Sequence, residues 1–202
     1  MPIITCADGC ATHSLITSLF IEDGKEHVSV PEFRDTVAQL WNVVMNAIHA
    51  DLLRATPTRA WGRNVLSVIV FPSGAPLIEG CRRQFPEIQF MFIVKERLIP
   101  DHETPPQIFD LGHAASGIQL AVVCDPVIAT GKTMCETIDV LEKDHGIPSE
   151  NIAIATLFCA KEAARRFCEK HRLYLVTSDG HVERNMLVPG PGHFSKRWCG
   201  ML

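Results

Sequence analysis

Apolar and polar positions along this chain follow two periods. Phe33, Val37, Leu40, Trp41, Val44, Ile48 and Leu52 recur at spacings of three and four. That spacing predicts an amphipathic helix over 31–54, with Pro31 suited to its first turn. Val65 to Phe71 is an unbroken apolar run rich in β-branched residues, and Gln89 to Val94 follows as a second strand. Gln119 to Cys124 is a short apolar run, the pattern of a parallel strand covered on both faces. A helix over 132–145 is carried by Met134, Ile138 and Leu141, with Gly146 placed to stop it. Strand 152–158, helix 161–170 and strand 173–177 complete the pattern. Alternation at this spacing predicts an α/β fold, a mainly parallel sheet flanked by helices. Residues 1–30 show no strong period and read as an N-terminal arm. Residues 178–202 form a Gly/Pro-rich C-terminal segment, and 1–202 reads as one domain.

Composition narrows the function classes. The chain has 202 residues, enough for one substantial core; 47% are hydrophobic and 21% charged, and its formal net charge is −4. No basic run or aromatic–basic stripe is present, which argues against nucleic acid as a partner. No apolar run reaches the length of a membrane span. The start lacks a basic residue followed by an apolar stretch, so no signal peptide is expected. Among eight cysteines, Cys81, Cys124, Cys135, Cys159 and Cys168 fall within or beside apolar segments. There cysteine behaves as a small hydrophobe. Reduced thiols and a cytoplasmic location are the expectation. Cys6, Cys10 and His13 cluster like a partial metal site, but with no Cys-x-x-Cys and no evident fourth ligand no metal is assigned.

The candidate chemistry lies just past the strands. Ligands of open α/β sheets collect at the carboxyl ends of the strands, and Ser73, Asp125 and Asp179 each follow a predicted strand. The stretch from Val122 to Thr133 reads as strand, turn and first helical turn. A loop at a helix start offers unpaired N–H groups and the positive end of the helix dipole, which suits a phosphate. Gly131 allows close backbone approach, Thr130 and Thr133 add hydroxyls, and Lys132 adds charge. A nucleotide-triphosphate P-loop would need Gly where Pro126 stands, so that class is excluded. On the residues alone, an ordinary strand-to-helix turn remains the alternative.

Asp125-Pro126-Val127-Ile128-Ala129-Thr130-Gly131-Lys132-Thr133 resembles the phosphoribosyl-phosphate motif of the uracil phosphoribosyltransferases, commonly Asp-Pro-Met-Leu-Ala-Thr-Gly-Gly-Ser. The resemblance implies a type I phosphoribosyltransferase-like fold. It implies that Asp125 faces the ribose hydroxyls and that Ala129, Thr130, Gly131, Lys132 and Thr133 hold the 5′-phosphate. Residues 72–80 are similar to the family's Leu-Arg-Ala-Gly-Leu pyrophosphate loop, aligned through Gly74 and Glu79-Gly80, which makes Ser73 and Gly74 the candidate loop residues and puts Pro72 where the family has Arg. Loss of that cation removes a charge-assisted bond worth about 1.5–3 kcal/mol.

The segment 185–200 resembles the family's uracil-binding segment. That implies base contacts at Val188, Pro189, Gly190 and Gly192, and a retained Arg197. His193 and Lys196 stand where the family has acids, and Ser195 where it has Gly. Arg97 and Phe109 are the nearest equivalents of the family's Arg-bearing hood. In the N-terminal segment the family's Arg falls on Gly24, beside Lys25.

The resemblance implies a divergent enzyme transferring phosphoribosyl from phosphoribosyl pyrophosphate to a pyrimidine-like base. Magnesium is implied if phosphoribosyl pyrophosphate is the donor, and no tightly bound cofactor is expected. A homodimer is expected, with helix 31–54 as either dimer face or core. The inverted charges point elsewhere. His193 and Lys196 favour an anionic or carbonyl-bearing ligand, and His193, Lys196 or Asp125 could transfer protons. Two alternatives therefore stand beside the first: the same pocket repurposed for acid–base chemistry on a small, natural-product-like substrate, and a catalytically silent homologue that binds a nucleotide.

Overall fold

The computed structural model describes residues 3–5, 10–21, 28–55, 64–94, 107–109 and 117–201. Its strands are β1 (Ile3–Thr5), β2 (Val65–Phe71), β3 (Gln89–Val94), β4 (Gln107–Phe109), β5 (Leu120–Cys124), β6 (Val127–Ile128), β7 (Ile152–Ala155), β8 (Phe158–Ala160), β9 (Arg172–Leu175), β10 (Thr177–Glu183) and β11 (Met186–Val188). Its helices are α1 (Cys10–Ser18), α2 (Val30–Ala55), α3 (Ile78–Gln84), α4 (Lys132–Lys143), α5 (Lys161–Cys168) and α6 (Phe194–Cys199).

Among the described residues the main sheet runs in the order β1-β9-β7-β5-β2-β3-β4. Its ladders are parallel except for β4, which joins β3 antiparallel at one edge. The central strands carry the core. Val65 to Val70 of β2 and all of β5 and β7 are buried, as two-sided burial by helices requires. The register from Val65↔Leu120 to Ile69↔Cys124 aligns the carboxyl ends of β2 and β5. The loops that follow Phe71 and Cys124 are therefore neighbours.

The apolar stripe of α2 is core. Phe33, Val37, Leu40, Trp41, Val44, Ile48 and Leu52 are each at most 1% exposed, so that stripe is not available as a dimer face. Trp41 donates its indole N–H to the Leu77 carbonyl at 2.9 Å. Its ring lies so close over α3 that a Cβ on Gly80 would stand 2.3 Å from Trp41 Cδ1.

Two runs read as single strands are each broken in two. The run 152–158 divides into β7 and β8, and the run from 173 continues past Val176 into β10. Backbone bonding explains the first break: the Thr156 N–H reaches Tyr174 O, and the Leu157 and Phe158 N–H groups turn to Pro126 O. The chain thereby steps from the main sheet to a second one, ordered β11-β10-β8-β6. An unbroken apolar run does not record such a step, because both halves are buried. The expected N-terminal arm contains α1, and Ile16 within it and Leu19 just after it are buried. The C-terminal segment contains β11 and the short helix α6. Cys81, Cys124 and Cys159 are fully buried as expected, whereas Cys135 is exposed on α4.

Candidate functional site

A cavity of about 540 Å³ opens at the carboxyl ends of β2 and β5. One side is Val70, Phe71, Pro72 and Ser73, and Asp125 stands between the two strand ends. The floor is Val127 to Met134, and the far wall is Asn185, His193 and Ser195.

The floor is built by a glycine. Gly131 takes φ 74° and ψ 9°, the left-handed region that a side chain rarely adopts, and so turns the chain into α4. A Cβ there would lie 2.4 Å from Arg166 Nη2 and 2.8 Å from Phe167 Cε2. Arg166, on α5, is the support beneath the loop: its Nη2 donates to Thr130 O at 2.9 Å, and its guanidinium lies 4.9 Å from the centre of the Phe167 ring. Above it, the Lys132 N–H approaches Thr130 Oγ1 at 3.3 Å. The Lys132 ammonium is exposed, 4.0 Å from Glu136 Oε1. The first-turn N–H groups of α4 and the positive end of its dipole face this loop.

Asp125 is half-buried. Its Oδ1 accepts from Ser73 Oγ at 2.9 Å and, weakly, from the Val127 N–H at 3.5 Å. Burial outweighs these two bonds and pushes its carboxyl up to about 6. At neutral pH it is ionised, and among the described residues its second oxygen accepts no hydrogen bond. That leaves an acceptor facing the cavity beside the phosphate-type floor.

The far wall is held by the C-terminal segment. Arg184 and Asn185, at φ 47° and 65°, turn β10 into β11. The loop after β11 is riveted to the N-terminal region: the Ile21 N–H donates to Gly190 O at 3.0 Å. Arg197 Nη1 donates to Leu19 O at 2.6 Å and Pro191 O at 3.0 Å. Its guanidinium sits 4.3 Å from the centre of the Phe33 ring. Gly192, at φ 65°, closes on Ile21, where a Cβ would lie 2.2 Å from Cδ1. His193, exposed at the start of α6, is thereby set on the cavity rim.

Of the residues singled out from sequence, the structure brings together Ser73, Asp125, Ala129, Thr130, Gly131, Lys132, Thr133 and His193. Others stand elsewhere. Gly74 is buried beneath its loop, against Val70 and Cys124. Asp179 does not converge with Ser73 and Asp125; it is exposed on β10, its Oδ2 accepting from Thr177 Oγ1 at 2.7 Å. Lys196 is exposed on α6, outside the cavity lining, because it is the next position of the helix after Ser195 and is turned away by the helical step. Arg197 is fully buried and acts as a clamp. Val188, Pro189, Gly190 and Gly192 do not line the cavity. Arg97, Gly24 and Lys25 lie outside the described residues, as does the side chain of Phe109. Phe71, Asn185 and the supporting Arg166 were not found from sequence, and Ser195, noted there only as a departure from the family's Gly, lines the cavity. Only Asn185 carried a signal, since Arg184-Asn185 separates two short strands as a hairpin turn does.

Asp125 is the one carboxylate among the described lining residues, and Ser73 already engages one of its oxygens. No group of three or more His, Cys, Asp or Glu among the described residues is placed to hold a metal ion. This donor set does not fit a magnesium ion held by the protein. Among the described residues no helix is long and apolar enough to cross a membrane.

Known proteins share the fold and part of the sequence. A protein from Aquifex aeolicus, AQ2163, superposes with a TM-score of 0.73 at 17% identity, covering 98% of this chain and 97% of its own. The adenine phosphoribosyltransferase of Giardia lamblia, solved with 9-deazaadenine, gives 0.56 at 21% identity, over 88% and 99%. At such identities the likeness is one of fold, the helix-flanked parallel sheet of the type I phosphoribosyltransferases. In sequence, the uracil phosphoribosyltransferase of Ralstonia pickettii is 34% identical over 83 residues, which are 39% of this chain and 38% of that protein. That of Paraburkholderia phymatum is 34% identical over 86 residues, 41% and 39%. The chain thus spans about two-fifths of the length of these curated relatives. The family model for uracil phosphoribosyltransferase matches residues 25–200, a span that includes the phosphate-type floor, Asp125 and the C-terminal wall, and the chain belongs to that family.

Proposed function

We propose that this chain is a divergent phosphoribosyltransferase-type enzyme that acts at C1 of a ribose 5-phosphate unit, with a pyrimidine-like base as the other partner. The 5′-phosphate rests on residues 129–133, and Asp125 accepts from the ribose hydroxyls. The base lies toward Asn185, His193 and Ser195. The observation that carries this is the cavity itself: one continuous floor from Ala129 to Thr133 with an ionised, half-buried carboxylate at its edge. Phosphate and diol are the two groups such a pair recognises.

His193 is the residue for proton transfer at the base. It stands on the rim beside Ser195, and an imidazole ring can both donate and accept a proton. Ser73 and Asp125 act as a unit, since Ser73 orients the carboxylate that meets the sugar.

The test is calorimetric titration of ribose 5-phosphate into the wild-type chain and Asp125→Ala, followed by assay of base release or uptake. The expected result is saturable binding that Asp125→Ala weakens by about tenfold or more. Ribose 5-phosphate affinity unchanged by that substitution would sink the assignment of the sugar to this carboxylate.

A further inference from the structure

The two loops that border the cavity differ in what they offer an anion. Oxyanions are held by uncommitted N–H groups and by cations. The floor, at the start of α4, has such groups. The second loop, after β2, has almost none.

Its donors can be followed one by one. Pro72 and Pro76 have no N–H. The Gly74 N–H donates to Val70 O at 2.7 Å, Ala75 N–H to Pro72 O at 3.3 Å, and Leu77 N–H to Gly74 O at 2.9 Å. The Ile78 N–H closes on Ala75 O. Ser73 Oγ is spent on Asp125. Among the described hydrogen bonds, the Ser73 N–H is the one backbone donor of 72–78 left without a partner. The loop is also pressed down on the strand ends. A Cβ on Gly74 would lie 2.7 Å from Val70 O and 3.0 Å from Cys124 O, so there is no room for an anion beneath it. Toward the cavity this side presents Val70, Phe71 and Pro72, with Ser73 its one polar residue. Among the described residues the charge against this loop is Asp125, bonded to Ser73, and it repels a polyphosphate.

We propose that the diphosphate half of the ancestral donor site is closed in this chain. The cavity then takes ribose 5′-monophosphate ligands whose C1 substituent is uncharged, pyrimidine-type nucleoside 5′-monophosphates, in preference to phosphoribosyl pyrophosphate. A diphosphate at C1 would have to break the loop's own hydrogen bonds and stand against an apolar wall and a carboxylate. An uncharged base makes neither demand. This rests on the assignment of the ribose 5-phosphate unit to the cavity.

The experiment is calorimetry on the full chain with four probes: uridine 5′-monophosphate, ribose 5-phosphate, magnesium phosphoribosyl pyrophosphate and magnesium pyrophosphate. Circular dichroism establishes that the protein is folded. The expected result is that uridine 5′-monophosphate binds tightest, and that phosphoribosyl pyrophosphate binds no better than ribose 5-phosphate, within about threefold. Pyrophosphate should fail to displace it. Phosphoribosyl pyrophosphate binding about tenfold or more tighter than ribose 5-phosphate, with pyrophosphate competing, would overturn this inference and leave the ribose phosphate assignment standing. No binding of any phosphorylated ribose to folded protein would overturn both.

Discussion

The loop at 129–133, one short strand beyond β5, and the loop at 72–77, just past the neighbouring β2, border one cavity yet have opposite internal chemistry. In the first, a left-handed glycine and an underlying arginine hold the chain open at a helix N-terminus. In the second, two prolines and a run of short-range hydrogen bonds fold the chain onto itself. A phosphate site depends less on a glycine being present than on whether the surrounding N–H groups are already spent. Gly131 serves approach from outside, whereas Gly74 serves packing beneath.

The strongest way to break this contrast is to spoil the open loop. Gly131→Ala puts a Cβ on Arg166 and Phe167 at a φ that L residues avoid. It should cost on the order of 1–3 kcal/mol of stability and abolish measurable binding of phosphorylated ribose, read by urea unfolding and calorimetry. Retained binding would show that the floor is not the phosphate site.

Next in size is the carboxylate. Asp125→Asn should weaken ribose 5-phosphate binding by about tenfold or more, and in the wild type binding should fall about tenfold per pH unit below about 6. Stability should move the other way. The carboxyl titrates near 3.8 in the unfolded chain and at about 6 in the fold, so the native state holds the proton more tightly. Its contribution to stability is present below about pH 4 and lost as pH rises toward 6 and above. Relative to Asp125→Asn, the wild type should lose roughly 1–3 kcal/mol between pH 4 and pH 7, the lower end reflecting its partial exposure. Urea unfolding of both proteins across that range checks the sign.

Smaller effects sharpen the picture. Arg166→Ala removes the bond to Thr130 O without touching a ligand, and should weaken phosphate binding by roughly three- to tenfold. Ser73→Ala removes the bond that favours ionised Asp125, so the pH midpoint of binding should rise, visible in a titration series. Lys196→Ala should change ligand affinity by less than about twofold, because that side chain is exposed outside the cavity.

Much of this was legible in the sequence. The β-branched run Val65–Phe71 and the stripe of α2 are set by burial, which periodicity records directly. The floor from Ala129 to Thr133 was legible because the chemistry and its geometry lie in one contiguous stretch. What escaped depends on contacts distant in sequence. Arg166 supports Thr130 from another helix, Asp179 is engaged with Thr177 outside the cavity, and the step from β7 to β8 is made by bonds to Pro126. Lys196 was misplaced for a local reason. Spacing aligned it with a family acid, but the first turn of α6 carries it out of the cavity.

The most direct measurement compares uridine 5′-monophosphate with uridine in calorimetry on the wild-type chain. A phosphate held by the open loop should make the nucleotide bind about 100-fold tighter, near 2.7 kcal/mol, and Gly131→Ala should erase the difference. Equal affinity for nucleotide and nucleoside would contradict the assignment of residues 129–133 to the phosphate.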